Sequence, residues 1–276
     1  MSKGHKQKPN RGIVRDMVQI DVGNVEYVDV MMAGDTHIGD ALRDPAYMRF
    51  ISQWVNRNDN RYVILTGDLF NAAIVGGKSD VYGESETLNE AMEIAKEWLA
   101  GFADKIIANV DGNHDQRVDR AVGIDPVEHV CKEAHCRYNG IEAYTALYVG
   151  RNKHYSKRVP YIYDIYVTHG VGGGRTQGAK INNLIRLRDI AFMDCYVQGH
   201  QHDPQVKTMT AQRATKDHSH IEKVQQLFIV TPGGLLRGGY AAAKAYAPPG
   251  WGIPVVRFYG DHKGMQPTVI DLSYDM

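Results

Sequence analysis

Five short apolar runs, each followed at once by polar residues, place the strongest constraint on the fold of this chain. They read VEYVDVMMAGDTH, RYVILTGD, KIIANVDGNHD, YDIYVTHG and CYVQGHQH. The runs are rich in Val, Ile and Tyr, and their apolar parts have the length of buried strands. Each run therefore predicts a strand whose carboxyl end carries side chains suited to chemistry.

Helical patterns lie between these predicted strands. Apolar residues recur at three- and four-residue intervals over residues 86–100 and 126–134. Strands that alternate with helices are typical of a layered α/β sheet, so the sequence predicts an α/β fold.

Two later runs, VQQLFIVTP and IPVVRFYG, predict strands on either side of a Gly- and Ala-rich loop over residues 233–250. Residues 171–180 (VGGGRTQGAK) form the most loop-like internal stretch. Its glycines either shape turns or allow backbone amides to approach a phosphate group, and both interpretations stay open at this point.

The chain has 276 residues, of which 43% are hydrophobic, which is enough for one sizeable core. Residues 1–15 contain five basic and no acidic side chains, so we expect a flexible basic arm followed by a single domain over residues 16–276. The arm either contacts nucleic acid or is a solvated terminus without a role.

Charge and cysteine content bear on the partners and the cellular compartment of the protein. Lys and Arg balance Asp and Glu at 32 each, so total charge indicates no polyanionic partner. The three cysteines Cys131, Cys136 and Cys195 cannot all pair with one another, and the chain begins with a polar, basic stretch. No apolar run reaches the roughly 20 residues that span a bilayer. We expect a reduced, cytoplasmic protein with no membrane contact, and the sequence indicates no protein partner.

The polar residues at the ends of the predicted strands are types that bind divalent metals. Because these ends can converge on one crevice, they predict a shared metal site. Carboxylate, carboxamide and imidazole favour Mn, Fe, Zn or similar ions, and the absence of thiolates argues against a structural zinc site. The candidates are Asp35, His37, Asp68, Asn113, His114, His169, His200 and His202.

The motifs GDTH, TGDLF, GNHD, TH and GHQH, in this order, resemble the signature of the calcineurin-like metallophosphoesterase superfamily. The resemblance spans Asp35 to His202 and implies a four-layer αββα sandwich. It also implies that two divalent ions share Asp68 as a bridge. One ion would be held by Asp35, His37, Asp68 and His202, and the other by Asp68, Asn113, His169 and His200.

The same resemblance implies a phosphoesterase in which a metal-bridging hydroxide attacks the phosphate. His114 would be the catalytic residue that is not a ligand, acting near the leaving-group oxygen as a general acid or a charge stabiliser. Mn²⁺ is the favoured ion, with Fe, Zn, Ni and Mg as alternatives. Asp115 either orients His114 or caps a following turn.

The motif after Asp68 bears on the substrate. Protein phosphatases of this superfamily continue GD as GDxxDRG, whereas this chain reads GDLFNAA, with Asn71 in place of the acid and no adjacent arginine. GDLF followed by GNHD is closer in style to SbcD-like nucleases. We therefore expect a phosphodiesterase that acts on DNA, RNA or a small nucleotide. A phosphomonoesterase and a non-catalytic scaffold are the alternatives.

Substrate contacts and a second histidine pair complete the predictions. Asn71, Arg117 and Arg120 are candidate substrate-binding residues, although the two arginines also fit surface ion pairs. His218 and His220 lie in the polar stretch ATKDHSHIEK, so we expect them at the surface rather than at a metal.

Overall fold

The computed structural model describes residues 17–74, 81–151, 159–172, 176–215, 217–238, 250 and 252–272. The predicted basic arm over residues 1–15 and most of the loop over residues 233–250 lie outside them. In chain order the strands are β1 (Val18–Asp21), β2 (Tyr27–Ala33), β3 (Arg61–Leu65), β4 (Ile106–Asn109), β5 (Glu142–Val149), β6 (Tyr161–Thr168), β7 (Cys195–Gln198), β8 (Gln205–Ala214), β9 (Ile221–Val230), β10 (Gly252–Tyr259) and β11 (Met265–Asp271). The α-helices are α1 (Pro45–Asn56), α2 (Leu88–Ala100), α3 (Asp115–Val122), α4 (Pro126–Glu133) and α5 (Gln177–Ile185).

The strands form two mixed sheets. One has the order β1-β5-β6-β7-β9-β8 and the other the order β11-β10-β2-β3-β4. Within them β2, β3 and β4 run parallel to one another, as do β6, β7 and β9. All five predicted motif strands are present, and the carboxyl ends of parallel neighbours meet at one edge of each sheet.

The two sheets pack face to face, and helices cover both outer surfaces. Strand β2 contributes side chains to two separate cores, because alternate side chains of a strand point to opposite faces of the sheet. Val30 and Met32 join the core between the sheets, whereas Met31 and Ala33 join the core under the helices. Strands buried on both faces read as continuous apolar runs, which explains the apolar VMMA segment over residues 30–33.

Helices α1, α2 and α4 cover the second sheet, and α5 covers the first, where Leu184 packs with Tyr196 and Phe228. The result is four layers in the order helix, sheet, sheet, helix. The predicted αββα sandwich is confirmed.

Local signals explain where the helices begin. The α2 helix has a reciprocal capping box between Thr87 and Glu90, and α4 begins with a Pro after the Asp125 cap. Thr176 caps α5, whose first turn lies inside the predicted loop over residues 171–180. The loop prediction was therefore wrong from Gln177 onward, because a side-chain cap starts a helix despite the glycines before it.

None of the helices in the described part of the chain is long and apolar enough to cross a membrane.

Candidate metal centre

The turns that follow the motif strands have an unusual backbone. Five of the candidate ligands in them have positive φ angles, a conformation that costs energy in residues other than glycine and concentrates at functional sites. The angles are 51° at Asp35, 46° at His37, 48° at Asp68, 71° at His200 and 49° at His202. Tertiary contacts must hold these turns in place.

Hydrogen bonds between neighbouring turns supply those contacts. The Asp35 amide donates to the Gly67 carbonyl at 2.8 Å, and the His37 amide donates to the Asp68 carbonyl at 3.0 Å. The His200 amide donates to the Asp35 carboxylate at 3.1 Å. These bonds link turns from both sheets into one unit.

The first group of candidate ligands consists of Asp35, His37 and His202. The His202 Nε2 atom lies 3.1 Å from Asp35 Oδ1 and 3.2 Å from His37 Nε2. Asp35 and His37 are fully buried, while His202 is partly exposed.

The second group consists of Asp68, His169 and His200, with Asn113 beside it. The His169 Nε2 atom lies 3.2 Å from Asp68 Oδ2, 3.2 Å from His200 Nδ1 and 3.1 Å from Asn113 Oδ1. The His169 Nδ1 atom is 2.8 Å from the Thr66 carbonyl oxygen. Because a carbonyl only accepts, this contact places a hydrogen on Nδ1 and leaves Nε2 facing the group.

The spacing of these atoms fits a metal. Ligands about 2.0 to 2.2 Å from an ion lie roughly 2.9 to 3.5 Å from one another in tetrahedral or octahedral geometry. The contacts of 3.1 and 3.2 Å in both groups fall in that range. Carboxylate, imidazole and carboxamide donors suit first-row divalent ions. Among the described residues no cysteine joins either group.

Asp68 lies between the two groups. Its Oδ2 atom is 3.2 Å from His169 Nε2 and 3.9 Å from His37 Nε2, while its Oδ1 atom accepts the His114 amide at 2.8 Å. Burial alone would raise the pKa of this carboxyl, but attraction to His169 and its neighbours holds the pKa well below the usual range. Asp68 is therefore ionised and faces both groups.

The histidines differ in protonation when no metal is bound. Burial lowers the pKa of His169, but Asp68, with help from Asp35, outweighs this effect and raises the pKa to about 10. Burial and neighbouring imidazoles lower the pKa values of His37 and His200 instead. In the metal-free protein His169 therefore carries a second proton, on Nε2, and an ion would have to compete with that proton for the nitrogen.

His114 stands beside both groups and is more exposed than Asp68. Its Nδ1 atom is 2.9 Å from the Asn71 carbonyl oxygen, so this nitrogen carries the hydrogen and Nε2 faces the site. Nε2 lies 3.9 Å from Asp68 Oδ2. The side chain is 18% exposed, against 2% for Asp68, so a substrate can reach it. His114 also lies close enough to His37 and Asp68 for the three to hold an ion, although at longer spacing than the other groups.

Asp115 has a role that neither sequence interpretation anticipated. Its buried carboxylate accepts backbone amides from Leu69 at 3.2 Å, Phe70 at 2.9 Å and Gly112 at 2.8 Å. The side chain therefore ties the turn after β3 to the turn after β4. The His114 ring is oriented by Asn71 instead.

The three candidate substrate contacts lie in different surroundings. Arg117 is half-buried and interacts electrostatically with Asp68 and Asp115, while Arg120 is exposed and donates to Gln116 at 2.8 Å. The Asn71 side chain is buried, and its amide donates to Glu84. Contact of these residues with a substrate stays a prediction.

His218 and His220 are exposed in the turn between β8 and β9, as expected from their polar surroundings. Sequence reasoning missed Glu84, the partner of Asn71, because it lies in an irregular segment without a motif or a periodic pattern.

No protein family model and no curated protein matches the chain. Solved structures with a similar chain path include a predicted phosphoesterase from Streptococcus pneumoniae TIGR4, with 12% identity, 89% of this chain and 99% of that chain covered, and a TM-score of 0.36. Zinc-bound Vps29 from Entamoeba histolytica has 12% identity, the same two coverages and a TM-score of 0.39. GAP50 of the Plasmodium inner membrane complex has 10% identity, coverages of 90% and 85%, and a TM-score of 0.49. Similarity at these scores carries no functional information about this chain.

Proposed function

We propose that the protein is a phosphoesterase that uses two divalent ions to hydrolyse a phosphodiester, as a nuclease or a nucleotide phosphodiesterase. The position of Asp68 carries this proposal. Its carboxylate faces His37 on one side and His169 on the other, so it is suited to bridge two ions. A single-ion site would not need a second group of ligands around the same carboxylate.

The chain's own residues would hold the ions in two sets. Asp35, His37 and His202 with Asp68 form one set, and Asn113, His169 and His200 with Asp68 form the other. Two ions bound there would lower the pKa of a bound water and stabilise the charge that develops on the phosphate. The mixed oxygen and nitrogen donors suit first-row divalent ions. Mn²⁺ is the proposed ion, with Fe, Zn, Ni and Mg as alternatives.

His114 would act at the leaving-group oxygen. The Asn71 carbonyl fixes the hydrogen on Nδ1, which leaves Nε2 directed toward the site and accessible to substrate. When the ring is protonated on both nitrogens, the Nε2–H group would either pass its proton to the departing oxygen or stabilise the charge on that oxygen. His114 would therefore affect the rate more than it affects metal binding.

The preference for a diester rests on the turn after Asp68. A monoester dianion carries one more negative charge than a diester, and the GDLFNAA segment has no arginine to match it. A nucleic acid or a nucleotide is the proposed substrate class. A cytoplasmic setting is part of the proposal, and the three free cysteines support it.

The test compares hydrolysis of bis-p-nitrophenyl phosphate and p-nitrophenyl phosphate with Mn²⁺ or with EDTA. We expect cleavage that EDTA abolishes, a higher kcat/KM for the diester, and loss of turnover in His114→Ala. The matched control is His129→Ala, which removes an exposed histidine from α4.

Faster cleavage of the monoester would identify a phosphatase instead. Absence of metal-dependent turnover on both esters and on single-stranded DNA, duplex DNA and RNA would overturn the proposal in favour of a scaffold.

A further inference from the structure

Glu84 makes two hydrogen bonds next to the site. Its Oε1 atom accepts the Asn71 side-chain amide at 2.7 Å and the Ala73 backbone amide at 3.0 Å. Glu84 is half-buried, and Asn71 is 5% exposed. Loss of the acceptor would leave a buried amide unsatisfied, which costs more than the bond itself contributes.

The two bonds lie on either side of a strained residue. Ala72 has a φ angle of 47°, which a side chain with a Cβ atom rarely adopts. Asn71 precedes it, and the carbonyl of Asn71 faces His114 Nδ1 at 2.9 Å. One carboxylate oxygen therefore holds both ends of the strained turn that orients the His114 ring.

Glu84 is itself anchored to the turn that carries His37. Glu84 and Asp40 form a β-bridge, and the Ser85 amide donates to the Gly39 carbonyl at 2.7 Å. The Asp40 amide in turn donates to the His37 carbonyl at 3.0 Å. The backbone that carries the Glu84 side chain is thus hydrogen-bonded to the turn that carries the candidate ligand His37.

We propose that Glu84 is a positioning residue for His114, acting through Asn71 and the Ala72 turn. This inference rests on the proposed function, in which His114 acts at the leaving group. It also gives a partner to Asn71, which stands where protein phosphatases of the superfamily that the motifs resemble carry an acid. The carboxylate comes from Glu84, and it acts on the main chain that holds the histidine.

Two substitutions of Glu84 distinguish loss of the hydrogen-bond acceptor from loss of the negative charge. Glu84→Gln keeps a carbonyl oxygen that can accept both hydrogen bonds, so we expect kcat within about threefold of wild type. Glu84→Ala removes the acceptor, and loss of such supporting partners lowers activity roughly 10- to 100-fold. The Mn²⁺ content should stay unchanged, because the described hydrogen bonds of the Glu84 carboxylate go to Asn71 and Ala73, neither of which is a candidate ligand.

The control is Glu86→Ala, which removes a carboxylate two residues away that pairs with Arg43 at 2.8 Å. This variant should retain wild-type kcat even though it loses an ion pair.

A double-mutant cycle tests the route through His114. If Glu84 acts by positioning His114, Glu84→Ala should have no further effect on kcat in the His114→Ala background. An equal fold loss in both backgrounds, or a loss of Mn²⁺ in Glu84→Ala, would overturn the proposal.

A spectroscopic measurement distinguishes failure of the positioning role of Glu84 from failure of the proposed phosphoesterase function. Nitrogen-15 NMR of the Zn²⁺-loaded protein should show His114 as the Nδ1–H tautomer in wild type and Glu84→Gln, and as a tautomer mixture in Glu84→Ala. This signal needs no turnover, so it is informative even if neither ester is cleaved. An unchanged tautomer in Glu84→Ala would refute the positioning role, whereas absent turnover with the expected NMR change would refute only the phosphoesterase.

Discussion

Metal binding should release a proton from His169. Burial lowers the pKa of this histidine, but the buried Asp68 carboxylate, 3.2 Å from its Nε2 atom, raises it to about 10. At pH 7.5 the neutral ring is then present in roughly one molecule in 300. An ion that binds Nε2 must displace this proton, so we expect one proton to leave His169 for each ion bound at the second group.

The apparent affinity for the ion should increase with pH, because the pKa of His169 is raised. Below pH 10 the proton competes with the ion, and the competition weakens as pH rises. The loss of this one proton from His169 should raise the apparent affinity of the second group for the ion about tenfold per pH unit between pH 7 and 9. Above pH 10 this contribution should level off.

Isothermal titration calorimetry of the metal-free protein with Zn²⁺ at pH 7.5 measures the proton count. The observed enthalpy is plotted against the ionisation enthalpy of several buffers, and the slope is the number of protons released. Zn²⁺ binds nitrogen and oxygen sites more tightly than Mn²⁺, so weakened variants still titrate. His169→Gln should release about one proton fewer than wild type.

His200→Gln is the matched control. His200 lies 3.2 Å from His169, but burial and the His169 charge lower its pKa, so it carries no proton to release. This variant should bind Zn²⁺ more weakly with a proton count close to that of wild type. Equal counts for wild type and His169→Gln would refute the reasoning.

Three further predictions concern the site and its support. Asp68→Ala should lose both bound metal and turnover, whereas His114→Ala should retain metal and lose about 10²- to 10⁴-fold in kcat; equal metal loss by elemental analysis would contradict these roles. Gly112→Ala should lower metal content, because a Cβ atom there would collide with the Asp68 carboxylate and backbone, whereas Gly178→Ala, with open space around it, should bind metal normally. Thr87→Ala removes the α2 cap and should lower the free energy of unfolding by about 1 kcal/mol in denaturant titrations, with kcat unchanged; an unaltered midpoint would show that the cap does not contribute.

Elements with strong local signals were predictable. The five motif strands are buried on both faces, so their apolar runs stand out whatever they pack against. Helices α2 and α4 combine an apolar period with clear caps. Edge strands such as β8 and β11 were missed, because their exposed positions carry polar residues and weaken the pattern. The mostly polar α3 was missed for the same reason.

The types of the candidate ligands and their places at strand ends were readable from the sequence. Both depend on local features, namely an apolar run and the polar residues that end it. The set of side chains available for chemistry and the layered α/β class could therefore be predicted from the amino-acid sequence alone. The division of these side chains between two facing sheets was implied only by resemblance, and the structure establishes it.

The contacts that hold the candidate catalytic histidine could be identified only in the folded protein. Asn71 orients His114 through its main chain, Ala72 adopts a strained angle, and Glu84 supports both from a separate segment. Asp115 joins two turns instead of orienting the ring. No motif encodes such contacts, because they depend on which backbone atoms the fold brings within hydrogen-bonding distance after distant parts of the chain have packed.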